Sequence, residues 1–196
     1  AEAGVVAIDT ETTSLTPAMA DLVGISMSVA EGGGCYIPLG HREARGYSES
    51  FDFTMAEKKE DAPPLVQIPA ARAMEMLRPL LEDPSVMKVG HNIKYDLQMF
   101  LPYGIRVAPI DDTMLMSYIL DGSRHGHGMD ELAKTFLNHD TIAYKDVTGS
   151  GKNQVTFDLV PLDKARDYAA EDADITLRLY NQFRARVVPE RMKTVY

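Results

Sequence analysis

The chain has 196 residues, enough for one domain with a full core. Hydrophobic residues make up 45% and charged residues 25%, and no apolar run approaches the roughly 20 residues that cross a bilayer. With 29 acidic and 20 basic residues the formal net charge is −9, which argues against a protein that coats long stretches of nucleic acid. The single cysteine, Cys35, excludes an intrachain disulfide and a cysteine-built zinc site, and points to a reducing, cytoplasmic setting.

The apolar run Val5–Ile8, ending at Asp9, predicts a buried strand. Leu22–Val29 and Cys35–Leu39 predict two more, with Gly32-Gly33-Gly34 as the turn between them. Residues 41–66 are polar and rich in Glu, Lys, Ser and Pro, and predict a long loop or insertion. A helix over Pro69–Leu81, a short strand at Val86–Val89 and a helix over Ile93–Leu101 follow, with Pro69 tolerated in a first turn. Asp112 is placed to cap the helix that starts after it. A short helix at Asp130–Leu137 and a long one at Leu162–Val187 close the chain. This order implies an α/β domain: a three-stranded antiparallel meander joined to parallel strands, flanked by helices. The chain starts at Ala1 rather than Met and ends without a helix stop signal, so it is expected to be excised from a longer protein.

Four carboxylates stand where carboxylates are costly. Asp9 and Glu11 are two apart in a strand, so they share a face about 6.6–6.8 Å apart and repel unless a cation lies between them. Thr10 and Thr12 face the other way. In the last helix, Ala165, Tyr168, Ala169, Ile175, Thr176, Leu179, Phe183 and Val187 form one stripe at 100° per residue. Asp172 sits in the middle of that stripe, while Asp167, Glu171 and Asp174 fall on the solvent side. Tyr168 is one turn before Asp172. Asp96 falls on an apolar helix face with Asn92, Ile93, Met99 and Phe100. Each acid alone has a bland reading: a solvated strand end, a salt bridge, a core polar pair. Together, with no matching set of basic partners, they point to hard divalent cations such as Mg²⁺ or Mn²⁺. Four carboxylates suit a pair of ions.

Three segments carry a resemblance: Asp9-Thr10-Glu11-Thr12-Thr13-Ser14-Leu15, Val89-Gly90-His91-Asn92-Ile93-Lys94-Tyr95-Asp96, and Tyr168-Ala169-Ala170-Glu171-Asp172-Ala173-Asp174-Ile175-Thr176. They resemble the three motifs of the DEDD exonuclease superfamily, with Tyr168 marking the DEDDy branch. The pattern is most similar to the proofreading domains of bacterial DNA polymerase I. Asp112–Leu115 and Gly151-Lys152-Asn153-Gln154 extend it, and 189–196 resembles the start of the linker to a polymerase domain.

The resemblance implies a ribonuclease H-like fold and a two-metal 3′→5′ exonuclease that releases nucleoside 5′-monophosphates from a single-stranded or frayed DNA 3′ end. Asp9, Glu11 and Asp172 would hold one ion, and Asp9 and Asp96 the other. Tyr168 and Glu11 would orient the attacking water. Among substrate contacts, Leu15 matches a wedge against the terminal bases and Asn92 a contact to the terminal nucleotide. Tyr144 matches an aromatic that stacks on a base. Thr10 and His91 are further candidates, His91 standing where the family has Gln. Arg124, in the segment Ser123–Gly128, is offset from the place of a phosphate-contacting Arg. A monomer attached to its polymerase domain is expected. The competing readings are an RNA 3′ exonuclease similar to ribonuclease D and a catalytically silent support domain.

Overall fold

The computed structural model describes residues 4–42 and 65–196. Most of the long segment expected over 41–66 therefore lies outside the described residues. A five-stranded sheet has the order β3-β2-β1-β4-β5. Its strands are β1 (Val5–Thr12), β2 (Leu22–Ala30), β3 (Gly33–Pro38), β4 (Met87–Gly90) and β5 (Ile110–Asp112). β1 is central. It runs antiparallel to β2, which is antiparallel to β3, and parallel to β4, which is parallel to β5.

The helices are α1 (Ala70–Leu81), α2 (Lys94–Phe100), α3 (Thr113–Asp121), α4 (Met129–Leu132), α5 (Tyr144–Thr148) and α6 (Leu162–Val187). On one face of the sheet, Val6, Ile8 and Ile25 pack with Ala73, Met74 and Leu81 of α1 and with Phe100 of α2. On the other lies α6. Further along that face, Val89 packs with Met116 and Leu120 of α3 and with Ile175, Leu179 and Phe183 of α6.

Small side chains set the height of α6 over the sheet. Ala7 opposes Ser28, Asp9 opposes Ser26, and Glu11 opposes Gly24. The facing positions of α6 are Ala165, Ala169 and Ala173, all fully buried. A Cβ on Gly34 would stand 2.3 Å from the Ala170 carbonyl oxygen, so that approach requires glycine. Small residues on both surfaces bring the backbone of α6 close, and with it Tyr168 and Asp172, to the end of β1.

Four details differ from the sequence reading. β1 does not stop at Asp9 but runs through Glu11 to Thr12, with a bulge between the last two residues. The turn between β2 and β3 is Glu31-Gly32, and Gly33 and Gly34 belong to β3. Asn92 precedes α2 with a left-handed φ of 64°, so it shares no helix face with Asp96. α4 continues through Ala133–Leu137 as a π-helical turn. No helix among the described residues is long and apolar enough to cross a membrane.

Candidate active site

A cleft of about 720 Å³ opens at the carboxyl end of β1. All ten residues singled out from the sequence line it: Asp9, Thr10, Glu11, Leu15, His91, Asn92, Asp96, Tyr144, Tyr168 and Asp172. β1 supplies the first three, the turn after it Leu15, the β4–α2 connection His91 and Asn92, α2 Asp96, α5 Tyr144, and α6 the last two.

One carboxylate oxygen from each of Asp9, Glu11 and Asp172 lies within 4.8 Å of the other two. Glu11, Asp96 and Asp172 are buried and Asp9 is half-buried. Burial pushes the Asp9 carboxyl up to about 6. Burial, reinforced by the charge of Asp9, holds Glu11, Asp96 and Asp172 well above the ordinary carboxylate range. Glu11 Oε1 is buried without a hydrogen-bond partner. Among the described residues, no ion pair includes any of the four acids. A cluster of this kind retains its charges only beside cations. Its donors are all carboxylate oxygens and one of them, Glu11 Oε1, has no hydrogen-bond partner, so the donor set fits hard divalent ions.

Asp96 is held from across the cleft. Thr10 gives it both its backbone N–H, at 3.0 Å, and its hydroxyl, at 2.5 Å, to one oxygen. The Tyr168 phenol lies against Asp172, and burial followed by that carboxylate raises its pKa, so it stays protonated. Tyr144 stacks on buried Phe157, their planes 17° apart and centroids 6.3 Å apart, and meets Tyr168 edge-on. Leu15 is 95% exposed at the rim, an apolar side chain presented to solvent.

Asp112 shapes the β4–α2 connection. Its carboxylate accepts from Met114 and Leu115, capping α3, and also from the backbone N–H groups of Asn92 and Ile93 at 3.0 and 3.1 Å. These bonds hold Asn92 in its left-handed conformation at the cleft wall. His91 Nδ1 is 2.8 Å from the Thr113 hydroxyl, and burial lowers the His91 pKa, so the ring is neutral.

Several lining residues escape the sequence reading. The Tyr95 hydroxyl donates to the Ser14 carbonyl and shares a 2.6 Å hydrogen bond with Thr12, which fixes the turn that carries Leu15. Its place beside Asp96 in the second motif was the available signal. Val155 and Thr156 also line the cleft, next to Gln154 of the resembling segment, and carry no periodicity that would mark them. Arg124 is not in the cleft; it is exposed and pairs with Asp121. Glu171 and Asp174 are not free solvent-side acids. Glu171 binds His139 and the Ile142 N–H, and Asp174 accepts from the Gly32 N–H and pairs with Arg178.

The sequence model of a family described as 3′-5′ exonuclease matches residues 1–187. DNA polymerase I of Rhizobium leguminosarum is 45% identical over 202 residues, covering 98% of this chain and 19% of that protein. DNA polymerase I of Pseudomonas aeruginosa is 42% identical over 183 residues, covering 91% and 18%. The chain thus spans about a fifth of the length of these curated relatives. Among solved structures, NrnC of Brucella melitensis superposes with a TM-score of 0.66 at 22% identity, over 95% of this chain and 75% of that one. Escherichia coli RNase D superposes with 0.60 at 18% identity, over 93% and 39%. These two share the fold, a ribonuclease H-like mixed sheet.

Proposed function

The chain belongs to the 3′-5′ exonuclease family found in DNA polymerase I, and we propose that it hydrolyses the terminal phosphodiester of a DNA 3′ end, releasing nucleoside 5′-monophosphates. The observation that carries this reading is the group of three carboxylates, Asp9, Glu11 and Asp172, with buried Asp96 lining the same open cleft, all without basic partners among the described residues and beside a protonated phenol.

In this reading Asp9, Glu11 and Asp172 hold one divalent ion, and Asp9 and Asp96 hold a second, Mg²⁺ or Mn²⁺. When bound, the two ions supply a nucleophilic water at neutral pH and neutralise charge at the leaving 3′ oxygen. Glu11 and Tyr168 orient the water: the phenol keeps its proton and donates, and the carboxylate accepts. Leu15 wedges against the terminal bases. Thr10, His91 and Asn92 contact the terminal nucleotide. Tyr144, stacked from behind by Phe157, offers its open face to a base, a contact worth about 1–3 kcal/mol and indifferent to base identity. That indifference suits an enzyme that removes any nucleotide.

The substrate is a single-stranded or frayed 3′ end. The full-length protein would carry a polymerase domain in the same chain, work as a monomer and act in the cytoplasm. The test is a time course on 5′-labelled single-stranded DNA with Mg²⁺, with Mn²⁺ and with EDTA, beside Asp172→Ala. The expected result is a ladder that shortens from the 3′ end and disappears in EDTA and in the variant. Matched RNA cut faster than DNA would instead support a ribonuclease D-like activity. No cleavage in any arm by a folded wild type would mean either a silent domain or one that needs the polymerase domain to hold DNA, and adding that domain would separate the two.

A further inference from the structure

We propose that Glu171 is a positioning residue for Tyr144, and so for the grip on the substrate. Glu171 lies next to Asp172 on α6, and its carboxylate is engaged by the 138–143 connection. One oxygen is 2.8 Å from His139 Nε2 and the other accepts from the Ile142 backbone N–H at 2.6 Å. Both partners belong to the 138–143 connection, which leads directly into α5 and its first residue, Tyr144. The backbone is pinned two residues before the ring.

The other side-chain ties of this connection are local. Thr141 donates to Asp130 at 2.8 Å and Lys134 pairs with Asp140, so both tie the loop to the α4 segment that precedes it. Among the described residues, its hydrogen bonds to α6 come from Glu171 alone. The helix that carries Tyr168 and Asp172 therefore also sets where the Tyr144 ring stands. That residue is 42% exposed, and among the described residues its ring meets the rings of Phe157 and Tyr168. A carboxylate that accepts two bonds from one short loop fixes it with few rotatable bonds between anchor and ring.

The inference rests on the proposed stacking role of Tyr144, and a double-mutant cycle separates the two. Steady-state cleavage of labelled single-stranded DNA in Mn²⁺ is measured for wild type, Glu171→Ala, Tyr144→Ala and the double variant. Tyr144→Ala is expected to raise KM roughly fivefold or more, the size of one lost base-stacking partner. Glu171→Ala is expected to raise KM by a similar factor with kcat within about twofold, and the double variant to be no worse than Tyr144→Ala. Glu171→Gln, whose amide oxygen still accepts from Ile142, is expected to restore most of the loss. His139→Leu, which removes one of the two bonds, gives a milder effect in the same direction and serves if Glu171→Ala does not fold. An unchanged KM in Tyr144→Ala overturns the stacking role. A raised KM in Tyr144→Ala that simply multiplies with the Glu171→Ala effect overturns the coupling. A fall in kcat with weakened Mn²⁺ binding in Glu171→Ala would mean that Glu171 acts through Asp172 instead.

Discussion

Thr10 donates twice to Asp96, from its backbone N–H and from its hydroxyl, to the same carboxylate oxygen. The two residues come from different elements, β1 and α2, and the pair is buried. Only the hydroxyl bond depends on the side chain. Thr10→Val keeps the shape and removes that bond, so Asp96 gains freedom to turn away from Asp9. We expect a loss of roughly 10- to 100-fold in cleavage or in affinity for the second ion. Thr10→Ser, which keeps the hydroxyl, should stay near wild type. Calorimetric titration with Mn²⁺ checks this; wild-type affinity and rate in Thr10→Val would remove Thr10 from the site.

The carboxylate cluster predicts an unusual response to metal. With EDTA present, the carboxyls crowded at the end of β1 disfavour one another's ionisation, and Glu11 Oε1 is buried without a partner. Mn²⁺ at 100 times its Kd should stabilise the fold by about 2.7 kcal/mol. Asp172→Asn removes one of the crowded carboxyls and one ligand. It should be at least as stable as wild type in EDTA, show little rise in Tm with Mn²⁺, and cleave no DNA. Thermal unfolding with and without metal reads the first two, and the labelled-DNA time course reads the third. A variant that melts far below wild type in EDTA would mean Asp172 is a structural partner rather than a ligand.

The fold and the carboxylates were legible for specific reasons. α6 matches its expected bounds, Leu162–Val187, because an apolar stripe with one acid in it, sustained along a 26-residue helix, has a strong helical period. Asp9 and Glu11 share a face because strand alternation allows nothing else. α5 was not legible: five residues carry too little period to mark a helix, although the resemblance had already singled out Tyr144. β5 is three residues long and was hidden by the cap signal of Asp112. Glu171 and Asp174 were sorted as solvent-side because a helical wheel shows only the angle. It cannot show that the 138–143 loop and the β2–β3 turn come back to those angles. Asn92 was placed on a helix for a related reason: its left-handed conformation is imposed by Asp112, twenty residues away.

The contact of Gly34 with the Ala170 carbonyl gives a second route to the site. A methyl group at 2.3 Å from a backbone oxygen cannot be absorbed by a side-chain rotation, so β3 or α6 must move. Gly34→Ala should cost about 1–3 kcal/mol. It should also slow cleavage, because α6 carries Asp172 and Tyr168. Gly33→Ala is the control: its added methyl meets only the Ala30 carbonyl oxygen, at an ordinary 3.5 Å. Both substitutions restrict the unfolded chain equally, so the difference between them isolates the contact. Urea unfolding of the two variants makes the measurement. Equal stabilities would mean that the helix rides higher over β3 than described.

Asp121 and Arg186 give a prediction that depends on pH. Arg186 meets Asp121 as a fork, Nη1 to Oδ2 at 2.8 Å and Nη2 to Oδ1 at 2.9 Å, joining the end of α3 to α6. These bonds hold the Asp121 carboxyl below its ordinary value of 3.8, against the opposing effect of burial. The folded pKa is therefore lower than the unfolded one. The stabilisation is complete above the unfolded value and is lost as pH falls through the folded one. Arg186→Met keeps most of the aliphatic stem and removes both the fork and the guanidinium that lies over the Phe136 ring. At pH 7 it should cost about 1.5–3 kcal/mol, the range for hydrogen bonds to a charged group. Below about pH 4 the gap to wild type should narrow, because the Asp121 carboxylate, left with the exposed Arg124 and without the fork, takes up a proton more readily than in wild type. Urea unfolding at several pH values follows the gap. A gap that stays constant down to the lowest pH at which both proteins fold would assign the loss to packing over Phe136 rather than to charge.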